Sequence, residues 1–505
     1  MSKLKQPATW WFIAALLCFA VLVNFQASAI YGSSLQYDDA YNASIAKNIA
    51  NGTGYASSYE KLRPFNPEIS TGFPMMLIGA FFILIFGNQY WVPSLSSAFL
   101  TDALLLGAFL VLRRRIGTQK ASMVAVISLI GFSVFTSDHL NGEGAAYLRA
   151  WYQFIGEIPC AILCFIGALT VFDPSGKTNR KQLLLSTAIF TLAFHVKTIA
   201  LFSFPSLAYG FWIYRKNETK KIATKTLLLM ITVIAIPGTV LNVVQFAAVR
   251  DVNEWATIKN REKNFRNRAG SGVHDFKRHG IYWMIERTPK NTDELARQFG
   301  GALPPALLLL TAVALAVVAY KKRKSDALNQ LAFVVSLAFI VHIFWWVTIS
   351  PNGWVRHAFI GLALLVLSVG IGLVAVGKRR LWMSAFPILA ICFNYPVFSK
   401  LAPAYVQTSR LKAQLRTASY LETIKLEQLY GFGWWANRDF EYLMTNSMNF
   451  KDASKMRESK PFLLVRSDFW GGDIKDQLDA LTAQCDAQTV YQDGPFIVSK
   501  CPAQE

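Results

Sequence analysis

The sequence predicts a mainly α-helical, polytopic membrane protein with a small α/β domain at its C-terminus. Of the 505 residues, 53% are hydrophobic, and the mean hydropathy is +0.31. The apolar residues form runs of roughly 15 to 22, the length that a helix needs to cross hydrocarbon. Short clusters of Lys and Arg separate these runs. The net charge of +20 is therefore interpreted as a set of topology signals, and no nucleic-acid partner is expected.

The first apolar run follows Lys3 and Lys5 and has no clear small-residue cleavage site. We interpret it as a retained helix, not a removed signal peptide, and expect the N-terminus in the cytoplasm. The apolar segments along the chain are 10–32, 71–87, 91–112, 121–136, 156–172, 182–196, 199–214, 226–247, 302–320, 330–349, 357–377 and 381–396.

The basic clusters predict the cytoplasmic loops. They lie at 113–115, 177–181, 215–221, 321–324 and 378–380. If every apolar segment crossed the membrane in turn, the cluster 113–115 would lie outside, against the charge rule. We therefore expect that one early segment does not cross the membrane. The short segment 71–87, which contains Pro74, is expected to lie in the outer interface or to dip in and return. About 11 to 13 transmembrane helices result, with about 11 crossings favoured, and the outer loops are 33–70, 137–156, 248–300 and 350–356.

The tail 397–505 is expected outside, as a small periplasmic α/β domain that follows a membrane domain over 1–396. PFLLVR (461–466) and TVYQDGPFIVSK (489–500) alternate like strands, with a turn at 492–494. The stretches 411–426 and 475–485 have helical periodicity.

The cysteines fit an outer, oxidising location for the tail. Cys18, Cys160, Cys164 and Cys392 fall in membrane runs, where a small hydrophobe needs no further role. Cys485 and Cys501 are the tail's pair, and we predict a disulfide between them. Two free thiols are the alternative. The sequence shows no Cys and His spacing typical of a metal site.

Two adjacent carboxylates, Asp38 and Asp39, follow the first membrane run. The pattern Tyr41, Ile45, Ile49 after them predicts a short helix along the outer membrane surface. Acidic residues commonly cap a helix and complement its dipole. Two in a row exceed what a cap needs, which favours a general base at the membrane surface.

These residues resemble the GT-C superfamily of membrane glycosyltransferases, in the group that includes aminoarabinose, mannosyl and arabinosyl transferases. YDDAYNASIAKNIANGTGY (37–55), with the proline-containing apolar segment after it, is similar to the family's first outer loop. GEIPCAILCFIGALTVF (156–172) is similar to its second acidic position, which falls on Glu157. WVRHAFIGLALLVL (354–367) resembles its late Arg-aromatic position at Arg356, with His357 where Tyr is usual. The resemblance covers about 400 residues, and each motif is short.

The resemblance implies inverting transfer of a sugar from a polyprenyl (undecaprenyl) phosphate carrier. It makes Asp38 the general base and Asp39 its support, with Glu157 as a further site carboxylate. Four cations are expected to receive the phosphate of the leaving group: Lys61, Arg63, Lys197 and Arg356. The acidic loop could also hold a divalent cation, although no ligand set is evident. For Glu157 the alternative is a helix-initiating residue, and for Lys197 it is snorkelling to the interface.

The acceptor is expected on the outer face: lipopolysaccharide or lipid A, an envelope glycan or a protein. The basic, aromatic stretch 255–287 could guide an acidic acceptor, contact lipid head groups or form a solvated face. His139, Glu143 and His195 are interpreted as structural. The bacterial inner membrane is the expected location.

The alternative function is a transporter or flippase for a lipid-linked or charged solute, with His195, Lys197 and Glu157 along its pathway. Such proteins usually contain internal repeats, and the sequence shows no convincing one. A third possible function is a scaffold whose soluble tail binds partner proteins, but it would give Asp38 and Asp39 no functional role.

Overall fold

The protein is described here by a computed structural model. The structure describes residues 7–35, 37–57, 63–64, 71–133, 149–173, 175–269, 272–298, 303–324, 326–351, 355–377, 405–424, 429–431, 438–444, 451–452, 462–466 and 473–502. The predicted segment 381–396 and the predicted domain boundary at 396 lie outside these residues, so the two-domain division stays a prediction.

Most of the described chain is helical. The helices are α1 (Pro7–Gly32), α2 (Tyr37–Ala50), α3 (Phe73–Phe86), α4 (Val92–Ser133), α5 (Glu157–Thr170), α6 (Arg180–Val196), α7 (Pro205–Asn217), α8 (Lys220–Val249), α9 (Val252–Ala269), α10 (Val273–His279), α11 (Ile281–Gln298), α12 (Leu303–Lys322), α13 (Ala327–Thr348), α14 (Phe359–Val376), α15 (Ser409–Thr423), α16 (Arg438–Leu443) and α17 (Asp473–Gln484). Short 3₁₀ helices, Thr198–Ser203 and Val355–Ala358, precede α7 and α14.

The predicted fold class is confirmed: the chain is a helical membrane protein with a small C-terminal α/β unit. Among the described residues, five helical segments are long and apolar enough to cross a membrane: Thr9–Gly32, Val92–Phe132, Lys220–Val249, Ala327–Thr348 and Val355–Val376. Two shorter apolar helices are Phe73–Phe86 and Glu157–Thr170. The higher crossing number and the placement of segment 71–87 stay predictions.

The segments predicted at 91–112 and 121–136 form α4, which is broken at Gly117. Gly117 has φ 79°, a left-handed conformation that glycine adopts without a steric cost. Leu105 and Phe132 line one apolar cavity of about 300 Å³, whereas a straight helix would hold them roughly 40 Å apart. The chain therefore folds back at Gly117, and α4 consists of two helices side by side.

The predicted outer loop 248–300 contains three helices, α9 to α11. The last of these is anchored by Asn291, whose side-chain amide donates to the carbonyl oxygens of Trp346 and Ser350, 2.8 and 3.1 Å away. Trp283 Nε1 donates to the Ile349 carbonyl oxygen at 2.9 Å. This loop therefore packs against the end of α13 and is not simply a solvated face.

Helices α5, α13 and α14 form the centre of the bundle, where α5 is buried along its whole length. Gly167 of α5 faces the ring of Phe190 on α6, and a Cβ at Gly167 would lie 2.8 Å from that ring. Ser186 Oγ donates to the Gly167 carbonyl oxygen at 2.8 Å. Close approach at small residues and hydrogen bonds between helices are the interactions that hold membrane helices together.

In the described part of the C-terminal unit, five strands form one sheet, accompanied by α15, α16 and α17. The strands are β3 (Leu429–Gly431), β4 (Lys451–Asp452), β5 (Phe462–Arg466), β6 (Gln488–Asp493) and β7 (Phe496–Cys501), in the order β4-β3-β5-β7-β6. The β6–β7 hairpin confirms the predicted strands, and its turn at Gly494, with φ 53°, lies at the end of the predicted turn. A further short pair, β1 (Ala56–Ser57) with β2 (Arg63–Pro64), follows α2.

The predicted disulfide is confirmed. Cys485, after α17, is bonded to Cys501 at the end of β7, with the two Cα atoms 5.4 Å apart. Cys18, Cys160 and Cys164 are free. The bond closes a loop of 16 residues across the last hairpin.

We expect Cys501→Ser to lower the free energy of unfolding of the C-terminal unit by about 3 kcal/mol, because a loop of this length is no longer closed in the unfolded chain. Denaturant unfolding of the purified protein measures this loss, with Cys18→Ser as a control at a free cysteine. Alkylation of Cys485 and Cys501 in unfolded, unreduced protein would contradict the disulfide.

Candidate active site

The two adjacent carboxylates lie in the first turn of α2, as the sequence predicts. The helix stops at Asn51 and Gly52, and Gly52 has φ 76°. The sequence predicted that α2 lies along the outer membrane surface. In the structure α2 is covered by protein, because residues 40–48 are all buried. Helix α3 packs on one side of α2 and α16 on another.

Asp38 forms an ion pair with Arg356. The pair joins Asp38 Oδ2 to Arg356 Nη1, with side chains 16% and 30% exposed. Arg356 comes from the 3₁₀ turn that leads into α14, so residues 318 positions apart in the sequence meet here. Both groups remain within reach of solvent, which a base and a phosphate-binding cation require. Asp39 is buried, and its Oδ1 accepts a hydrogen bond from the Ala40 amide at 2.9 Å.

Glu157 and Lys197 form a second ion pair. Glu157 Oε1 lies 3.1 Å from Lys197 Nζ, and the glutamate side chain is fully buried while the lysine is 14% exposed. Among the described residues neither carboxylate oxygen accepts a hydrogen bond of regular geometry. The charge of Lys197 therefore balances a carboxylate that is otherwise costly to bury.

The two ion pairs lie at the same end of the bundle. Arg356 is followed by His357, whose carbonyl oxygen is 3.0 Å from His342 Nε2 on α13. The acidic and basic groups all sit at helix ends, since Asp38 and Glu157 begin α2 and α5 while Lys197 follows α6. A charged site at one end of the bundle results.

A backbone junction aligns these helix ends. Gly72 N donates to the Val196 carbonyl oxygen at 2.9 Å, and Thr71 Oγ1 donates to the Ile155 carbonyl oxygen at 2.7 Å. The amide of Asn42, on α2, donates to Thr71 Oγ1 at 3.1 Å and to the Phe154 carbonyl oxygen at 2.7 Å. The junction thus joins α2 to the segments that carry Glu157 and Lys197.

The C-terminal unit closes over α2. The amide of Gln414, on α15, accepts from Leu35 N at 3.2 Å and donates to the Leu35 carbonyl oxygen at 2.9 Å. Lys47 Nζ donates to the carbonyl oxygens of Glu441 and Tyr442 at 2.9 and 3.2 Å, and also to that of Met444. Sequence reasoning did not identify Lys47 or Gln414, since each has a partner more than 370 residues away.

Several predicted residues are not brought into this cluster by the described contacts. Lys61, His139 and Glu143 lie outside the described residues, and for Arg63 the structure describes the backbone alone, in β2 opposite Ser57. His195 packs against the rings of Phe73 and Phe194. Across the described ranges no group of three or more His, Cys, Asp and Glu residues is arranged to hold a metal ion, so that part of the chain offers no ligand set for the divalent cation.

The arrangement defines a polytopic membrane protein with charged groups at one end of the bundle, where a small C-terminal unit covers α2. No family model matches the sequence, and no curated protein matches it. Among solved structures, the chain is similar to ArnT from Cupriavidus metallidurans bound to undecaprenyl phosphate, with a TM-score of 0.55 and 11% identity over 98% of this chain and 100% of that one. This likeness shows that the chain has the GT-C fold.

A second solved structure is more distant. It is the archaeal oligosaccharyltransferase AglB from Archaeoglobus fulgidus, in complex with an inhibitory peptide and a dolichol-phosphate. Its TM-score is 0.47 and its identity 14%, over 88% of this chain and 64% of that one.

Burial of Lys47, which lies outside the membrane-spanning segments, gives a prediction for stability against pH. Desolvation lowers the pKa of Lys47 from 10.5 to about 8, although Glu441 and Glu422 oppose that shift. Between pH 8 and 10.5 the unfolded state then binds more protons than the folded state, so stability rises with pH. We expect a gain of about 3 kcal/mol across this window.

The measurement is the difference in free energy of unfolding between the wild type and Lys47→Met, followed over that pH range in detergent. Other titrating groups cancel in the difference. A difference that stays constant from pH 8 to 10.5 would contradict the lowered pKa.

Proposed function

We propose that this protein is an inverting glycosyltransferase that moves a sugar from a polyprenyl phosphate carrier to an acceptor hydroxyl. The observation that carries the proposal is the pairing of Asp38 with Arg356, beside Glu157 and Lys197, in a chain of GT-C fold. The fold is shared with an ArnT structure that contains undecaprenyl phosphate, which supports a lipid phosphate as the carrier.

The chemistry uses opposite charges at adjacent positions. The acceptor oxygen attacks the anomeric carbon, and its proton passes to the Asp38 carboxylate acting as general base. The bond from the anomeric carbon to the phosphate oxygen breaks, and its electron pair stays on the phosphate. Arg356 and Lys197 stabilise that developing charge. Attack opposite the leaving group inverts the anomeric centre.

The resting ion pair suggests an order of events. A donor phosphate competes for Arg356, because guanidinium binds phosphate in two-point geometry. Asp38 is then released from its cation and can accept a proton from the acceptor. Glu157 keeps Lys197 in place through the contact of 3.1 Å. Lys61 and Arg63 are proposed as further phosphate ligands, and Asp39 as support for Asp38.

A transporter or flippase is the less supported function. Its charged pathway groups would be spread along the membrane-spanning helices. The paired groups described here instead lie at the ends of α2, α5 and α6 and in the turn that precedes α14. This concentration at one end favours chemistry at a membrane surface.

We place the site on the periplasmic face of a bacterial inner membrane, with lipopolysaccharide or lipid A, an envelope glycan or a protein as the acceptor. The positive-inside pattern of the basic clusters supports this orientation. Mass spectrometry of envelope glycolipids, glycans and proteins from a deletion strain identifies the acceptor through its missing sugar.

The orientation predicts the outcome of reporter fusions. A periplasm-active reporter fused after Lys400 is expected to be active, and one fused after Lys324 inactive, because the loop at 321–324 carries the cytoplasmic cluster. Alkaline phosphatase activity, normalised to the amount of fusion protein, gives the measurement. The reverse pattern would place Asp38 on the cytoplasmic face and contradict the proposed acceptors.

Asp38→Asn is expected to lower the rate of sugar transfer by roughly 10² to 10⁴. The amide is nearly isosteric and can still cap α2, so folding should be retained. Arg356→Ala is expected to weaken donor binding and raise its KM, because a cation facing the phosphate is lost. Asp39→Asn should reduce the rate less than Asp38→Asn.

The assay uses purified protein in nanodiscs, a synthetic polyprenyl phosphate sugar, and the acceptor found in the deletion strain. Asp173→Asn is the matched control. Asp173 accepts hydrogen bonds from Ser175 and Lys177 in an exposed loop that follows α5, at the opposite end of this helix from Glu157. Wild-type transfer by Asp38→Asn would show that Asp38 is a helix cap and direct the search for the base to Glu157.

A further inference from the structure

The C-terminal unit holds the chain immediately before Asp38. Leu35 lies between α1 and α2, and both its amide and its carbonyl group are hydrogen-bonded by the side-chain amide of Gln414. Gln414 is fully buried. Thr408, the residue before α15, donates from Oγ1 to the carbonyl oxygen of Gly32, the last residue of α1, at 2.9 Å. The approach to α2 is therefore fixed by α15 and the residues that lead into it.

The same unit holds α2 immediately after Asp38. Ser44 Oγ donates to the Arg438 carbonyl oxygen at 3.0 Å. One turn later Lys47 donates to the carbonyl oxygens at the end of α16. Free carbonyl groups at a helix C-terminus attract a cation, both as hydrogen-bond acceptors and through the helix dipole.

The two contacts with α2 are linked within the C-terminal unit. Gln414 Nε2 donates to Asp439 Oδ2, on α16, at 2.6 Å. Arg438 forms a buried ion pair with Glu441, and its guanidinium lies over the ring of Tyr41, 5.1 Å from the centroid. Helices α15 and α16 are therefore joined to each other, and together they hold α2.

A lysine at position 47 is energetically unfavourable if its side chain only fills space between α2 and α16. An apolar side chain would fill this buried position without the desolvation that a charged amine undergoes. A lysine with three carbonyl acceptors fixes the rotation and the height of α2 relative to α16, because each donor must meet its acceptor. Lys47 therefore constrains the orientation of α2 more than it stabilises the fold.

We propose that Gln414 and Lys47 are positioning residues through which the C-terminal unit sets the location of Asp38 against Arg356 and the acceptor hydroxyl. The inference rests on the proposed function, since it takes Asp38 as the general base. A displacement of about 1 Å at a reacting group can lower a rate roughly 10²-fold, so the anchoring of α2 controls transfer although neither residue touches the substrate.

The test compares Gln414→Met and Lys47→Met with Arg416→Met. Arg416 forms an exposed ion pair with Asp493 inside the C-terminal unit, and no described contact joins it to α2, so its loss controls for general weakening of the unit. Kinetic constants are measured for donor and acceptor, and hydrogen exchange is measured along the full chain in nanodiscs.

For both test variants we expect kcat to fall about 10²-fold while the donor KM changes little, because Arg356 and Lys197 are left in place. Amide exchange should become faster in residues 33–50 and stay unchanged in α13 and α14. Arg416→Met should match the wild type in both measurements.

A pH profile separates positioning from a structural role. Lys47 is faced by Glu441, which pairs with Arg438 on α16, and by Glu422 on α15. Above pH 8 it loses a proton and keeps two donors for three carbonyl groups. The wild-type kcat should therefore fall at alkaline pH while stability rises, and Lys47→Arg, which stays charged, should lack this fall.

Three results would overturn the inference. They are wild-type kcat in Gln414→Met and Lys47→Met, unchanged exchange in residues 33–50, and an equal loss of kcat in Arg416→Met. If the wild type transfers no sugar to any acceptor tested, the proposed function fails. The exchange data then still report whether the C-terminal unit holds α2, so the two failures are distinguishable.

Discussion

The site depends on the close approach of three backbone segments at Gly72. Its amide donates to the Val196 carbonyl oxygen, and a Cβ at this position would lie 1.6 Å from the carbonyl oxygen of His195. No side chain fits there, so the approach requires glycine. Gly156, with φ 83°, packs against Thr71 and Val196 at the same place. Because Glu157 and Lys197 directly follow these contacts, their ion pair depends on this junction.

Burial explains why the charged groups occur in pairs. A single carboxylate in the position of Glu157 would be strongly unfavourable without a cation, and removing one partner of such a pair is far more costly than removing both. In the proposed mechanism, the more accessible pair, Asp38 with Arg356, exchanges partners with a bound phosphate at a lower cost in free energy. On that proposal, the difference in exposure distinguishes the buried pair, in which Glu157 holds Lys197, from the accessible pair, whose partners change during the reaction.

Local sequence signals predicted much of this architecture. The apolar runs predicted α1, α3, α5, α6, α8, α13 and α14, because helix length in a membrane follows from the thickness of hydrocarbon. The alternation in 489–500 and the cysteine pair predicted the last hairpin and its disulfide. The doublet of Asp38 and Asp39 indicated a carboxylate site, and the resemblance to the GT-C superfamily added Glu157 and Arg356.

The remaining features depend on long-range contacts that no local pattern encodes. The sequence around Lys47 is amphipathic and predicts a helix on the surface. The helix is buried because α16 covers it, and the residue of α16 that Lys47 contacts lies 394 positions away in the sequence. Gln414 has the periodicity of an ordinary helix residue, and nothing near it indicates Leu35 as its partner. The need for glycine at position 72 also arises from the carbonyl of His195, which a search for turn motifs does not find.

The contacts between the C-terminal unit and α2 bear on the division predicted at residue 396. The unit has its own sheet and apolar core, with Phe440, Leu463 and Phe496 buried, which is the property of a domain. Yet Lys47, Ser44 and Leu35 satisfy its buried polar groups, and those bonds are lost if the unit separates from the bundle. An interface held by buried, directional hydrogen bonds resists sliding more than an apolar one, since each shift leaves donors and acceptors unpaired. The unit is therefore better regarded as an anchor for α2, the helix that carries Asp38 in its first turn.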